Sequence, residues 1–72
     1  MDDISVHTGK EIGAAVRERR RASRFTQDEL AAYAGVGRRF VIELEDGKPS
    51  LRLDKLLAVL NALGLRLKLG AP

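Results

Sequence analysis

Cysteine is absent from this chain of 72 residues, and its absence excludes several chemistries. There is no disulfide framework, no thiolate zinc site and no cysteine nucleophile, and a reducing cytoplasm is the expected compartment. Histidine occurs once, as His7, so no second imidazole is available to share a metal ion. We expect no metal, no cofactor and no enzymatic activity, because no set of residues assembles an acid, a base and a nucleophile.

Long apolar runs are also missing. None approaches the roughly 20 residues that a membrane-spanning helix needs, so no membrane partner is expected. The N-terminus carries Asp2 and Asp3 instead of a basic segment followed by an apolar one, which argues against a signal peptide. The length allows a single domain with a small core. Because 44% of the residues are hydrophobic, dimerisation would help to bury them.

Positive charge is concentrated in one part of the chain. The net charge is +3, and arginine occupies positions 17, 19, 20, 21 and 24. Such a local density suits contact with a phosphate backbone. The same run is equally compatible with a solvated helix face, and the sequence leaves these two interpretations open.

Capping patterns divide most of the chain into four predicted helices. A T-x-x-E capping box at Thr8 begins a helix that runs to about Ala22, and a second box at Thr26 begins one that runs to Ala34. Further helices are predicted at about 37–45 and 53–63, the last with a broad leucine stripe. We therefore expect an all-α domain over residues 8–64, preceded by a flexible N-terminal arm of residues 1–7.

The C-terminal segment changes its period. Residues 65–69, LRLKL, alternate between leucine and a basic residue, which is typical of a β-strand. No other segment alternates, so the simplest partner is the same strand of a second copy. The alternative is a frayed tail, but the leucine face needs burial. The dimerisation strand is predicted to consist of Leu65, Arg66, Leu67, Lys68 and Leu69, followed by a tail of residues 70–72.

The stretch FTQDELAAYAGVGRRFVIELEDGK, residues 25–48, carries most of the functional information. It predicts two short helices joined by the small-residue turn Ala34-Gly35-Val36, with an arginine pair at the start of the second helix. The major groove of B-DNA admits one α-helix, and residues near its N-terminus read the base edges. The stretch thus predicts a helix-turn-helix that binds double-stranded DNA.

The motif TQDELAAYAGV at 26–36, with E-x-G-K at 45–48 and the leucine-rich helix that follows, resembles the Xre/Cro-type helix-turn-helix family of phage and bacterial repressors. The terminal LGLRLKL resembles its HipB-like antitoxin branch. The resemblance implies a four-helix, lambda-repressor-like fold and a homodimeric, sequence-specific repressor of an inverted-repeat operator. It further implies an autoregulating antitoxin, nucleoid-associated in a bacterial cytoplasm, with a cognate toxin as partner. Two alternatives stay open: an interaction module that mainly neutralises a toxin, and a phage-type regulator without one.

The resemblance also assigns roles to individual residues. Base reading is implied for the exposed positions of the third helix, which are Gly37, Arg38, Arg39, Phe40 and Glu43. Phosphate contacts are implied for Gln27, Lys48 and Arg52. Arginine is the commonest reader of guanine, whereas the glutamate either accepts from a cytosine or orients Arg39.

Two further positions matter for the reading helix. Phe40 departs from the family, which usually has a small residue there, so its ring either contacts a thymine methyl or packs locally. Arg20 and Glu45 match a family pair whose salt bridge fixes the angle of the reading helix. Such a bridge contributes orientation more than stability, because desolvation offsets its Coulomb energy.

Overall fold

The computed structural model describes residues 5–71 and contains four helices. They are α1 (Gly9–Ala22), α2 (Gln27–Ala34), α3 (Arg38–Glu45) and α4 (Leu53–Ala62). Each lies close to its predicted bounds. Asp2 and Asp3 of the predicted N-terminal arm are outside the described residues, and residues 5–7 have no regular secondary structure.

The ends of α2 follow from the chemistry of three residues, Thr26, Glu29 and Gly35. The Thr26 hydroxyl accepts from the backbone N–H of Glu29, and the Glu29 carboxylate accepts from the N–H of Thr26, so two N–H groups that the helix leaves unpaired are satisfied. At the other end Gly35 adopts a φ of 74°, which glycine tolerates without a steric penalty.

The cap of α1 differs from the predicted box. The Thr8 hydroxyl accepts from the N–H of Glu11 at 3.1 Å, as expected. The Glu11 carboxylate, however, accepts from the N–H of His7 at 2.9 Å. The carboxylate therefore ties the residue before the cap to the first turn of the helix.

The core lies where the four helices meet, with α1 packed on α3, and α2 packed on both α3 and α4. Only part of the predicted leucine stripe of α4 is buried, because Leu53 and Leu57 remain exposed. The buried apolar side chains are Val16, Leu30, Ala31, Val41, Leu44, Val59, Leu60 and Leu63.

Two glycines allow α1 to approach the end of α3 closely. A Cβ on Gly13 would clash with the carbonyl oxygen of Leu44 and lie 2.9 Å from that of Glu45. Gly47 has a φ of 83°, and a Cβ there would lie 2.7 Å from Cγ of Lys10. The position of α3 against α1 thus depends on the absence of two side chains.

The C-terminal segment follows α4 without forming a strand within residues 5–71. The N–H of Leu65 donates to the carbonyl of Leu60 at 2.8 Å, and its side chain packs against the core. Leu67 and Leu69 are exposed. Pairing with a second copy cannot occur in one chain, so the predicted dimer strand stays a prediction. Among the helices of the described residues, none has the length and apolar character needed to cross a bilayer.

Candidate nucleic-acid interface

The start of α3 is set by the turn that follows α2. The N–H of Val36 donates to the carbonyl of Ala31 at 3.0 Å, and the Val36 side chain packs against the core. Gly37 is the N-cap of α3 and provides no side-chain cap. Arg38 and Arg39 are consequently the first two residues of the helix, and both are exposed.

Carboxylates accompany the basic side chains of this helix. Arg38 Nε lies 2.8 Å from Oδ1 of Asp28 on α2. Arg39 Nε is 3.8 Å from Oε2 of Glu43, one turn along α3, and Lys48 Nζ is 3.5 Å from the same oxygen. The basic residues Arg38, Arg39 and Lys48 therefore lie beside carboxylates, in a surface of mixed charge.

A shallow pocket of about 360 Å³ lies at the C-terminal side of this surface. Phe40 is half-buried, packs against the core and also lines the pocket. The pocket brings two of the predicted phosphate residues, Lys48 and Arg52, together with α3. Its lining consists of Phe40, Glu43, Lys48, Ser50, Leu51, Arg52 and Lys55. We call the exposed side of α3 together with this pocket the α3 surface.

Arg52 makes a local ion pair within the α3 surface. Its Nε and Nη2 donate to the two carboxylate oxygens of Asp54, at 3.1 and 2.6 Å. Hydrogen bonding to Arg52 lowers the pKa of Asp54, and the same contact raises the pKa of Arg52. The pair is exposed, so a phosphate can compete for the guanidinium.

Gln27 is the first residue of α2, and its side chain makes a contact within the protein. Its side-chain Nε2 donates to Oε1 of Glu45 at 3.2 Å, in a partly buried position. One of the two N–H donors of its amide is therefore used inside the protein. The N–H groups in the first turn of a helix have no partner within the helix, so the backbone of α2 is what this end of the molecule offers to an anion.

Arg20 and Glu45 are in contact, as the resemblance implies. Arg20 Nε and Nη2 donate to the two carboxylate oxygens at 2.6 and 3.0 Å, and Nη1 donates to the carbonyl of Phe25. Arg17 Nε adds a third donor residue at 3.3 Å. The carboxylate is fully buried and joins α1, α2 and the last residue of α3.

The ionisation of this group follows from its surroundings. Burial by itself would raise the pKa of Glu45, but hydrogen bonds from Arg20, Gln27 and Arg17 and the charge of Arg20 outweigh it, and the pKa is lowered. The hydrogen bond to Glu45 raises the pKa of Arg20 in turn. Both groups are therefore charged across the neutral range.

The arginine run of α1 is largely used inside the protein. Arg17 and Arg20 contact Glu45, and Arg19 Nε donates to the carbonyl of Leu63 at 2.9 Å. The run thus links α1 to the end of α3 and the end of α4. Within residues 5–71 no group of three or more His, Cys, Asp or Glu side chains is placed to hold a metal ion.

Sequence reasoning missed three residues that the structure adds to these contacts. Asp28 and Arg17 pair with residues of another helix, and helical periodicity does not report such pairs. Lys55 stands in the first turn of α4 and lines the pocket. In the sequence, only its spacing from Arg52 indicates that it lies near the predicted phosphate residues.

Comparisons with known proteins agree with this geometry. A sequence model described as helix-turn-helix matches residues 16–69. The HTH-type transcriptional regulator y4mF of Sinorhizobium fredii, itself uncharacterised, is 46% identical over 67 residues, 93% of this chain and 88% of that protein.

Among solved structures, HipB is similar in fold both in its O4 20mer complex and in the HipA–HipB–O2–O3 complex. The TM-score is 0.86 at 20% identity, covering 96% of this chain and 97% of the other. The restriction-modification controller protein C.AhdI of Aeromonas hydrophila has a TM-score of 0.73 at 29% identity, over 81% and 88% of the two chains. From the matched family model and the 46% identical regulator, the chain belongs to the Xre/Cro-type helix-turn-helix family.

Proposed function

We propose that this protein is a transcriptional repressor that binds double-stranded DNA with α3 in the major groove. The observation that carries the proposal is the α3 surface. Two exposed arginines stand at the N-terminal end of a short helix, where helix-turn-helix proteins read base edges. Three further basic residues, Lys48, Arg52 and Lys55, line the pocket at the other end of the same helix.

The proposed contacts divide between bases and phosphates. Arg38 and Arg39 are the base-reading candidates, with the edge of Phe40 beside them and Glu43 one turn beyond Arg39. Gly37 lets the backbone approach the groove. Lys48 and Arg52 are the proposed side-chain contacts to phosphates. For Gln27 the phosphate contact is proposed through the backbone N–H groups at the start of α2, where the helix dipole favours an anion.

The experiment is duplex binding by the Arg38→Ala/Arg39→Ala double variant. The probe is DNA carrying the sequence that the wild-type protein enriches from a random duplex library. Each lost base contact should cost about 1–3 kcal/mol, so specific binding should disappear while the circular dichroism spectrum stays unchanged. Arg21→Ala, which removes a charge from the exposed end of α1, is the control. Undiminished affinity of the double variant would contradict the assignment of α3 as the DNA-reading helix.

We propose that the protein binds as a homodimer to an inverted repeat, with half-sites about one helical turn, roughly 34 Å, apart. The support is the C-terminal segment, where Leu67 and Leu69 are exposed and alternate with basic residues. Pairing residues 65–69 of two copies would bring these leucines together and satisfy the backbone groups on the facing edges of the two strands.

We also propose an antitoxin role, in which the protein represses its own operon and neutralises a toxin encoded beside it, in the cytoplasm and at the nucleoid. The support is the terminal LGLRLKL together with a fold like that of HipB, which is found in a complex with HipA. Co-expression with the product of the adjacent gene tests this role. We expect the two proteins to co-purify and the growth inhibition by the adjacent gene product to be relieved. If that product is harmless and does not bind, the protein is a regulator without a toxin.

A further inference from the structure

One contact of the α3 surface joins the two helices of the helix-turn-helix. Asp28 is the second residue of α2, Arg38 is the first residue of α3, and Arg38 Nε lies 2.8 Å from Asp28 Oδ1. A carboxylate in the first turn is favoured by the positive end of the helix dipole. The charge of the aspartate is therefore favoured where it lies, and it approaches Arg38 through the nitrogen nearest the chain.

The neighbouring arginine is much less constrained. The Arg39 side chain is 88% exposed, and its nearest carboxylate, that of Glu43, is 3.8 Å away. The same carboxylate oxygen is 3.5 Å from Lys48 Nζ, so it is shared between two cations. Immobilising a long side chain such as that of Arg39 on a base costs rotamer entropy. The cost is smaller for Arg38, because the contact with Asp28 already restrains its side chain.

We infer that Asp28 is a positioning residue for base reading, and that it makes Arg38 the guanine-reading arginine and leaves Arg39 for the phosphate backbone. This inference rests on the proposed DNA-binding function. With Asp28 at Nε, the outer Nη1–Nη2 edge of the guanidinium is the edge presented to O6 and N7 of a guanine. The planar guanidinium has donors for both partners at once.

The charge of Asp28 has a second consequence. The start of a helix-turn-helix's first helix approaches the DNA backbone, so a carboxylate there repels phosphates of any sequence. Asp28 should therefore lower affinity for random DNA while raising discrimination at one base pair. A residue with a purely structural role would not lower affinity for random DNA and at the same time raise discrimination at one base pair.

The experiment measures binding to the library-selected duplex and to every single-base variant of it, by fluorescence anisotropy over a range of salt. Arg38→Ala should lose preference for guanine at one position of each half-site, by about tenfold. Arg39→Ala should weaken all duplexes alike and reduce the slope of log affinity against log salt by about 1. Asp28→Ala should reduce discrimination at the Arg38 position by about threefold, the scale of an exposed ion pair, and bind random duplex more tightly.

The double variant Asp28→Ala/Arg38→Ala separates positioning from other effects. Asp28→Ala should cause no further loss of discrimination once Arg38 is absent. Glu18→Gln, which removes one exposed negative charge from α1, is the charge control and should leave base preference unchanged. An equal loss from Asp28→Ala with and without Arg38, or unchanged discrimination in Asp28→Ala, would overturn the inference alone. Enrichment of no sequence by the wild-type protein would overturn the proposed function and the inference with it.

Discussion

At the scale of single residues, Glu45 connects the stability of the domain to the position of α3. Its buried carboxylate accepts from Arg17 and Arg20 on α1 and from Gln27 on α2. Burying a charge is costly unless its hydrogen bonds are complete, and here they come from three side chains. No buried side-chain nitrogen or oxygen in the described chain lacks a partner. The C-terminal end of α3 is thereby fixed against α1 and α2.

Replacing Glu45 by Gln should be strongly destabilising, because Arg20 would keep its charge in a buried site without a counter-charge. The expected loss is about 3 kcal/mol in the free energy of unfolding, the lower end for a broken buried pair, since Arg20 retains the carbonyl of Phe25. Urea unfolding measures it. Glu18→Gln, at an exposed site, should stay within about 0.5 kcal/mol of wild type. Equal stability of the two variants would contradict the role given to Glu45.

The lowered pKa of Glu45 also predicts a pH dependence. A carboxyl whose pKa is lower in the folded state contributes stability that is fully present above its ordinary value of 4.5 and is lost as pH falls through the folded-state pKa. Wild type should therefore lose stability below about pH 4.5 more steeply than Glu45→Gln. Urea midpoints at closely spaced pH values test this, and parallel curves would show that another carboxyl dominates.

At the scale of elements, the contact between α1 and α3 depends on Gly13. A Cβ at this position would meet the backbone carbonyl oxygens of Leu44 and Glu45, which cannot move aside as the end of a flexible side chain can. Glycine in a helix costs roughly 0.5–1 kcal/mol relative to alanine. The closer packing of α1 on α3 offsets this cost.

Gly13→Ala should therefore destabilise the domain although alanine is the better helix former. Overpacking of this kind costs about 1–3 kcal/mol, more than the gain in helix propensity. Thermal unfolding measures the net effect, and DNA binding should weaken as well, because α3 must shift. Gly70→Ala, where a Cβ meets nothing within 4 Å, should have no effect. A Gly13→Ala variant more stable than wild type would show that the helices separate without cost.

Features that depend on residues close together in the sequence could be predicted, whereas contacts between distant residues could not. Helix ends depend on residues three or four apart, so Thr26, Glu29 and Gly35 gave α2 its correct bounds. The leucine stripe of α4 was overestimated, because Leu53 and Leu57 lie on the exposed side. Contacts between helices, such as that of Asp28 with Arg38, depend on crossing geometry and had no local signal.

At the scale of the whole molecule, the single chain leaves an apolar surface uncovered. Leu67 is 47% exposed and Leu69 95% exposed, while Leu65 is packed against the core. A small domain gains much of its stability from association, because its own core is limited. A dimer also places two α3 helices on one duplex, so dimerisation and affinity for an inverted repeat are expected to change together.

The double variant Leu67→Asp/Leu69→Asp should separate the proposed dimer into folded monomers, because the introduced carboxylates of both copies would be brought together along the paired strands. Sedimentation velocity should show half the wild-type mass, and affinity for the inverted repeat should fall while affinity for an isolated half-site is retained. Removal of residues 70–72 alone is the matched control and should leave both properties unchanged, since the pairing residues remain. If the Asp variant stays dimeric, the association surface lies elsewhere, and the exposed side of α4, with Leu53 and Leu57, becomes the next surface to test. A monomer that still binds the full inverted repeat at wild-type affinity would instead show that the two half-sites are read independently.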